Sequence, residues 1–113
     1  MKIEEAFKLF DIRGDYPEVV DERMAFIVGK ALTLLKCPKK ILVASDTRES
    51  SPTLKNFLID GLSVNGAKID DLFEAPVGQF YYTITAKNYD LGVMVTASHV
   101  SAGENGFKFV NQN

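Results

Sequence analysis

Two short apolar runs, Ile41–Ala44 and Leu91–Val95, set the tightest limit on what this chain can fold into. Each is too short for an ordinary helix and is bounded by charged or small polar residues, the pattern of a strand buried on both faces. Helical signals lie before, between and after them. Asp21 is placed to cap a helix with Glu22 in its first turn, and Val28, Ala31, Leu32 and Leu35 follow at helical spacing as a buried stripe until Pro38. Ser51 and Pro52 open a second helix with Leu54, Phe57, Leu58 and Leu62 on one face, and Asn65-Gly66 ends it. Ala67 to Phe73 alternates weakly and reads as a strand. Pro76 opens a third helix with Val77, Phe80, Tyr81 and Ile84, and Phe107 to Val110 is a further strand. Residues 1–20 are mixed, with Arg13-Gly14-Asp15 read as a turn. Strands alternating with helices make the class α/β. The expected architecture is a three-layer α/β/α domain with a mostly parallel, mixed sheet of four strands.

At 113 residues the chain is expected to be one domain, residues 1–113. Hydrophobic content of 46% and charged content of 25% fit a soluble globular protein. A net charge of −2 gives no footing for a nucleic-acid groove or a basic membrane surface. No apolar run approaches the ~20 residues of a membrane span. The charged start Met1-Lys2-Ile3-Glu4-Glu5 has no signal-peptide core. Cys37 is the single cysteine, so a cytoplasmic location is expected and Cys37 is read as inert.

Two strands run into polar clusters: Ile41–Ala44 into Ser45-Asp46-Thr47-Arg48-Glu49-Ser50-Ser51, and Leu91–Val95 into Thr96-Ala97-Ser98-His99. If the strands are parallel, both clusters lie at one edge of the sheet, where ligands of open α/β sheets bind. Ser98 and His99 are adjacent, and neighbours in an extended chain point to opposite sides, so His99 is badly placed to take a proton from Ser98. No G-x-S-x-G elbow surrounds Ser98 either, and a hydrolase triad is disfavoured. A serine that carries a phosphate fits better, because it needs backbone donors and cations rather than a bonded histidine. Gly103, Gly106 and Lys108 follow closely. The plain alternative is that Ser98 ends a strand and His99 is a surface residue. Asp46 and Arg48 are equally readable as a turn cap and a surface ion pair, Arg13 as a turn residue, and Asp70-Asp71 as a solvated acidic pair.

Three segments together resemble one family. Phe10-Asp11-Ile12-Arg13-Gly14, then Ser45-Asp46-Thr47-Arg48-Glu49-Ser50-Ser51-Pro52, then Thr96-Ala97-Ser98-His99 with Asn105-Gly106-Phe107-Lys108 are similar in order and spacing to the first domain of the α-D-phosphohexomutases, the phosphoglucomutases and phosphomannomutases. The resemblance implies that Ser98 is phosphorylated and exchanges its phosphate with a hexose phosphate. Ser98 would also offer one oxygen to a magnesium ion. His99 and Lys108 match positions that assist proton transfer and hold the loop. Arg13, Asp46, Arg48 and Asn105 match positions of the substrate- and phosphate-binding wall.

The chain departs from the family pattern in places. Val100-Ser101 stands where Asn-Pro is usual, which loosens the backbone after His99. Ala44-Ser45 stands where Gly-Arg is common, and Pro76-Val77-Gly78 replaces a P-T-P-like stretch. The resemblance covers the family's first domain only. The second, third and fourth domains, with the remaining magnesium ligands and the sugar-recognition loop, have no counterpart in the sequence, and the chain alone is expected to be inactive. An exposed interdomain face, open to self-association, is expected in consequence. The other function class left open is a non-catalytic α/β module that binds phosphate or a partner.

Overall fold

A computed structural model describes residues 12–47, 49–96 and 104–111 of the chain. Its elements are β1 (Ile12–Asp15), α1 (Glu22–Lys36), β2 (Lys40–Ser45), α2 (Ser51–Leu62), a 3-10 turn (Ser63–Asn65), β3 (Lys68–Glu74), α3 (Val77–Ala86), β4 (Leu91–Val95) and β5 (Glu104–Asn111). The sheet has five strands in the order β1-β5-β4-β2-β3. β2 is parallel to both β3 and β4, whereas β5 is antiparallel to β4 and β1. The sheet is therefore mixed, with one strand more than expected. The extra strand is β1: Arg13-Gly14-Asp15 is not a turn but pairs with Gly106, Asn105 and Glu104. Its partner lies some ninety residues downstream, and local turn chemistry outweighs so distant a pairing when only the sequence is read.

Helices cover both faces. Ile41, Val43, Leu91, Val93, Val95, Phe107 and Phe109 pack against Ala25 and Leu32 of α1 and Leu54, Leu58 and Leu62 of α2. On the other face Leu42, Ala44 and Met94 meet Phe80 and Ile84 of α3, with Tyr89. Each fully buried leucine stabilises the fold by about 1.5–3 kcal/mol relative to an exposed one.

Asp21 caps α1 as expected, its side chain accepting from the Met24 amide at 2.8 Å. The buried stripe of α1 is Ala25, Gly29, Leu32 and Thr33, with Val28 half-buried. Leu35 is 68% exposed and Ala31 is exposed, contrary to the expected stripe. The buried line is turned toward Gly29 because α1 and α2 cross there. A Cβ on Gly29 would lie 2.5 Å from the Leu58 carbonyl oxygen, and one on Gly61 2.2 Å from that of Phe26. Small residues admit the approach that the larger apolar residues cannot. α2 begins at Ser51, with Ser50 as the capping residue, one position earlier than expected.

Asp70 and Asp71 are not a solvated pair. Asp71 accepts from Lys55 Nζ at 2.9 Å and from the Phe73 amide at 2.7 Å. Asp70 accepts from the Tyr89 hydroxyl at 2.7 Å. This bond, then burial, then the repulsion of the Asp70 charge push the Tyr89 phenol up to about 12. The neutral phenol is the favoured form in the folded chain. The resulting stability is complete below the phenol's ordinary value near 10 and is lost as pH rises through about 12. Urea unfolding at pH 9 and at pH 11.5 is expected to show a loss about 1–3 kcal/mol larger in the native chain than in Tyr89→Phe, the Tyr16 phenol, also raised by its bond to Glu22, contributing equally to both. Equal losses in both chains would exclude this phenol as the cause.

Candidate functional site

β2 and β4 are parallel neighbours, with Ser45 opposite Val95, so their carboxyl ends open side by side. β5 begins at that same rim because it runs antiparallel to β4. α2 and α3 start there too, following β2 and β3. Neither N-cap residue, Ser50 or Pro76, caps its helix with its side chain, and the positive ends of two helix dipoles face the rim, a favourable setting for an anion.

Side chains and backbone tie the rim together. The Asp46 amide donates to the Val95 carbonyl at 3.1 Å, and the Thr96 amide donates to the Gly106 carbonyl at 2.9 Å. Ser51 Oγ donates to Asp46 Oδ1 at 2.6 Å. Asn105 Nδ2 donates to Ser50 Oγ at 2.7 Å and to Ser51 Oγ at 2.9 Å. The Gly106 amide donates to Asn105 Oδ1 at 2.9 Å. The start of the turn after β2, at Asp46, and the exit of β4, at Thr96, therefore share one edge.

Among the expected site residues, Asp46 stands at this rim, half-buried and bonded to Ser51. Asn105 is fully buried and spends both amide hydrogens' direction on α2, which leaves it among the residues that shape the rim. Lys108 follows on β5 opposite Met94, on the face that carries α3, and its ammonium lies 5.7 Å from the centre of the Tyr81 ring. Asn105 and Lys108 thus leave opposite faces of the same strand. The backbone of Arg13 pairs with Gly106 on β1, and its side chain lies outside the described residues. Ser98, His99 and Arg48 also lie outside them, Ser98 two positions beyond the buried Thr96.

Sequence reasoning placed Ser50, Ser51 and Thr96 in the polar clusters but gave none of them a role in the site. Ser51 was legible only as a helix opener; its burial and its bonds to Asp46 and Asn105 depend on distant partners. Ser45, standing where an arginine is common, is 1% exposed, and its hydroxyl has no hydrogen-bond partner among the described residues. An unsatisfied buried hydroxyl costs about 1–3 kcal/mol. Ser45→Ala is expected to leave stability unchanged or raise it by up to about 1 kcal/mol in urea unfolding. A clear fall would mean that the hydroxyl is satisfied within the full chain.

Among the described residues no group of three or more His, Cys, Asp or Glu side chains is arranged to hold a metal ion. A cleft of about 470 Å³ at the opposite edge, lined by Thr33, Cys37, Lys39 and Asn65, holds none of the motif residues. No helix among the described residues is long and apolar enough to cross a membrane.

Residues 4–113 match the family model of the phosphoglucomutase/phosphomannomutase alpha/beta/alpha domain I. A phosphomannomutase from Escherichia coli is 36% identical over 107 residues, covering 95% of this chain and 24% of that protein. A phosphomannomutase from Klebsiella pneumoniae is 35% identical, covering 95% of this chain and 68% of that protein. The crystal structure of a phosphoglucomutase/phosphomannomutase family protein from Burkholderia thailandensis superposes with a TM-score of 0.81 at 29% identity, over 99% of this chain and 27% of that one. The chain thus spans about a quarter of the Escherichia coli and Burkholderia proteins. With the mixed five-stranded sheet between two helical layers, and Asp46, Ser51, Thr96 and Asn105 at its carboxyl rim, the chain belongs to the phosphoglucomutase/phosphomannomutase family, as its α/β/α domain I.

Proposed function

We propose that this chain is the phosphoserine-bearing part of a phosphohexomutase, with Ser98 as the phosphoryl carrier. The observation that carries the reading is the shared rim: the turn bearing Asp46 and the exit of β4 toward Ser98 are joined through Asp46, Val95, Thr96 and Gly106. A phosphoryl group passes from Ser98 Oγ to a hydroxyl of the hexose phosphate, the P–Oγ bond breaking as the new P–O bond forms. The proton of the sugar hydroxyl goes to a base on the rim. The bisphosphorylated sugar turns over and returns its other phosphate to Ser98. Lys108 and His99 serve the proton transfers, and Arg13, Arg48 and the amino-terminal dipoles of α2 and α3 offset the phosphate charge. Phosphoryl transfer depends on such positioning and charge neutralisation. Asp46 and Asn105 shape the wall.

Magnesium would add charge neutralisation at the phosphate. The described residues do not by themselves form a site for it, so this chain's share is one oxygen at Ser98, with the other ligands supplied from the second domain. The chain alone is inactive in turnover and works in the cytoplasm on a hexose phosphate, together with the second, third and fourth domains. The apolar residues exposed on α1 at helical spacing, Ile27, Leu34 and Leu35, offer a surface for those domains or for self-association. Light scattering is expected to show association that Leu35→Glu removes.

Incubating the chain with magnesium and labelled hexose bisphosphate, with and without the second, third and fourth domains of a relative, tests the reading. One phosphate per chain is expected. No phosphate in any preparation would favour the other reading, a non-catalytic phosphate- or partner-binding module, to which the Val100-Ser101 departure already points.

A further inference from the structure

We propose that Ser51 is a positioning residue for phosphoryl transfer at Ser98, acting as the node of a closed hydrogen-bonded ring that grips the peptide unit just before the Ser98 segment. The inference rests on the reading of Ser98 as the phosphoryl carrier.

The ring is traced from bond to bond. Ser51 Oγ donates to Asp46 Oδ1, and the Asp46 amide donates to the Val95 carbonyl. Val95 O and Thr96 N belong to one peptide unit. The Thr96 amide donates to the Gly106 carbonyl, the Gly106 amide to Asn105 Oδ1, and Asn105 Nδ2 back to Ser51 Oγ. The Val95–Thr96 peptide is thereby held from both sides, by the turn after β2 through its oxygen and by β5 through its nitrogen. Ser98 lies two residues beyond it, and Asn105 lies at the return of the same segment.

Hydroxyl chemistry fixes the direction of the ring. A serine has one hydrogen to donate. That of Ser51 goes to a carboxylate, a short charge-assisted bond, so Ser51 can only accept from Asn105. Asn105 must then turn its amide nitrogen to α2 and its oxygen to Gly106, the orientation observed. Ser51 sits in the first turn of α2 with no exposed surface, so it cannot touch a substrate and acts only through its neighbours. The buried state of Asn105 gives it the same positioning role.

The test uses the full 113-residue chain with Ser51→Ala, Ser51→Thr and Asn105→Ala. Two quantities are read: phosphate capture at Ser98 per folded molecule, with the second, third and fourth domains of a relative supplied, and hydrogen exchange of the Asp46, Thr96 and Gly106 amides against those of Phe80 and Ile84. Ser51→Ala is expected to slow capture by about 100-fold, the scale of a 1 Å misplacement. Exchange should rise at the three ring amides and stay unchanged in α3. Asn105→Ala should give the same pattern, and Ser51→Thr, which keeps the hydroxyl, should restore capture. Unchanged capture in Ser51→Ala, or exchange that rises evenly through the chain, would overturn the proposal. If Ser51→Ala does not fold, Asn105→Ala decides by the same criteria. If the unsubstituted chain captures no phosphate, the Ser98 reading fails and this role for Ser51 fails with it, while the exchange pattern still shows whether the ring exists.

Discussion

A chain carrying Ser98→Ala is expected to take up no phosphate from a hexose bisphosphate, whatever domains are supplied, and to unfold at the same urea concentration as the native chain. The side chain that forms the P–O bond is gone. Ser50 and Ser51 are committed to Asn105 and Asp46, and Ser51 is fully buried. Substitutions of the proton-handling groups should be milder. His99→Ala and Lys108→Met are each expected to lower the capture rate by about 10²–10⁴-fold, the usual contribution of a positioned acid or base. Lys108→Met also removes the ammonium above Tyr81, an interaction of about 0.5–1 kcal/mol, so its effect on stability should stay small. Residual capture in Ser98→Ala equal to that of the native chain would move the phosphoryl carrier elsewhere.

The largest effect on stability is expected at the crossing of α1 and α2. Alanine at Gly61 would place its methyl 2.2 Å from the Phe26 carbonyl oxygen and 2.9 Å from the Lys30 nitrogen. These are helix backbone atoms that cannot swing aside, so the helices must separate. Overpacking of this kind costs about 1–3 kcal/mol. The better helix propensity of alanine, about 1 kcal/mol, offsets only part of the strain. Gly78 is the control: it lies in the first turn of α3 with no atom within 4 Å of an added Cβ. Gly78→Ala should therefore stabilise the chain by up to about 1 kcal/mol. Urea midpoints that move in opposite directions for the two variants check the packing. A common direction would show that propensity, not contact, governs both sites.

The elements that position the rim were legible because their signals are local. Ile41–Ala44 and Leu91–Val95 are apolar runs that end in hydroxyl and acidic residues, and the parallel pairing of β2 with β4 follows from the intervening helices. Features made by distant partners were not legible. Arg13-Gly14-Asp15 has turn residues, and only β5 makes it a strand. Asp70 and Asp71 read as solvated until Tyr89 and Lys55 arrive from other elements. Leu35 fits a helical stripe by spacing, yet the close contact at Gly29 and Gly61 rotates the buried face away from it. Asn105 matches a family motif as a binding residue, and its burial between β5 and the start of α2, with its amide bonded to Ser50 and Ser51, could not be read from the motif. Motif spacing drew attention to Asp46 and Asn105, which the fold brings to one rim, but the direction of each side chain depends on which face of its strand it occupies.

The most direct measurement is the position of the phosphate on the native chain after incubation with a hexose bisphosphate and the complementary domains, mapped by fragmentation mass spectrometry. The predicted result is a single phosphate on Ser98. A phosphate on Ser45, Ser50, Ser51 or Ser101 instead would contradict the assignment of the phosphoryl carrier.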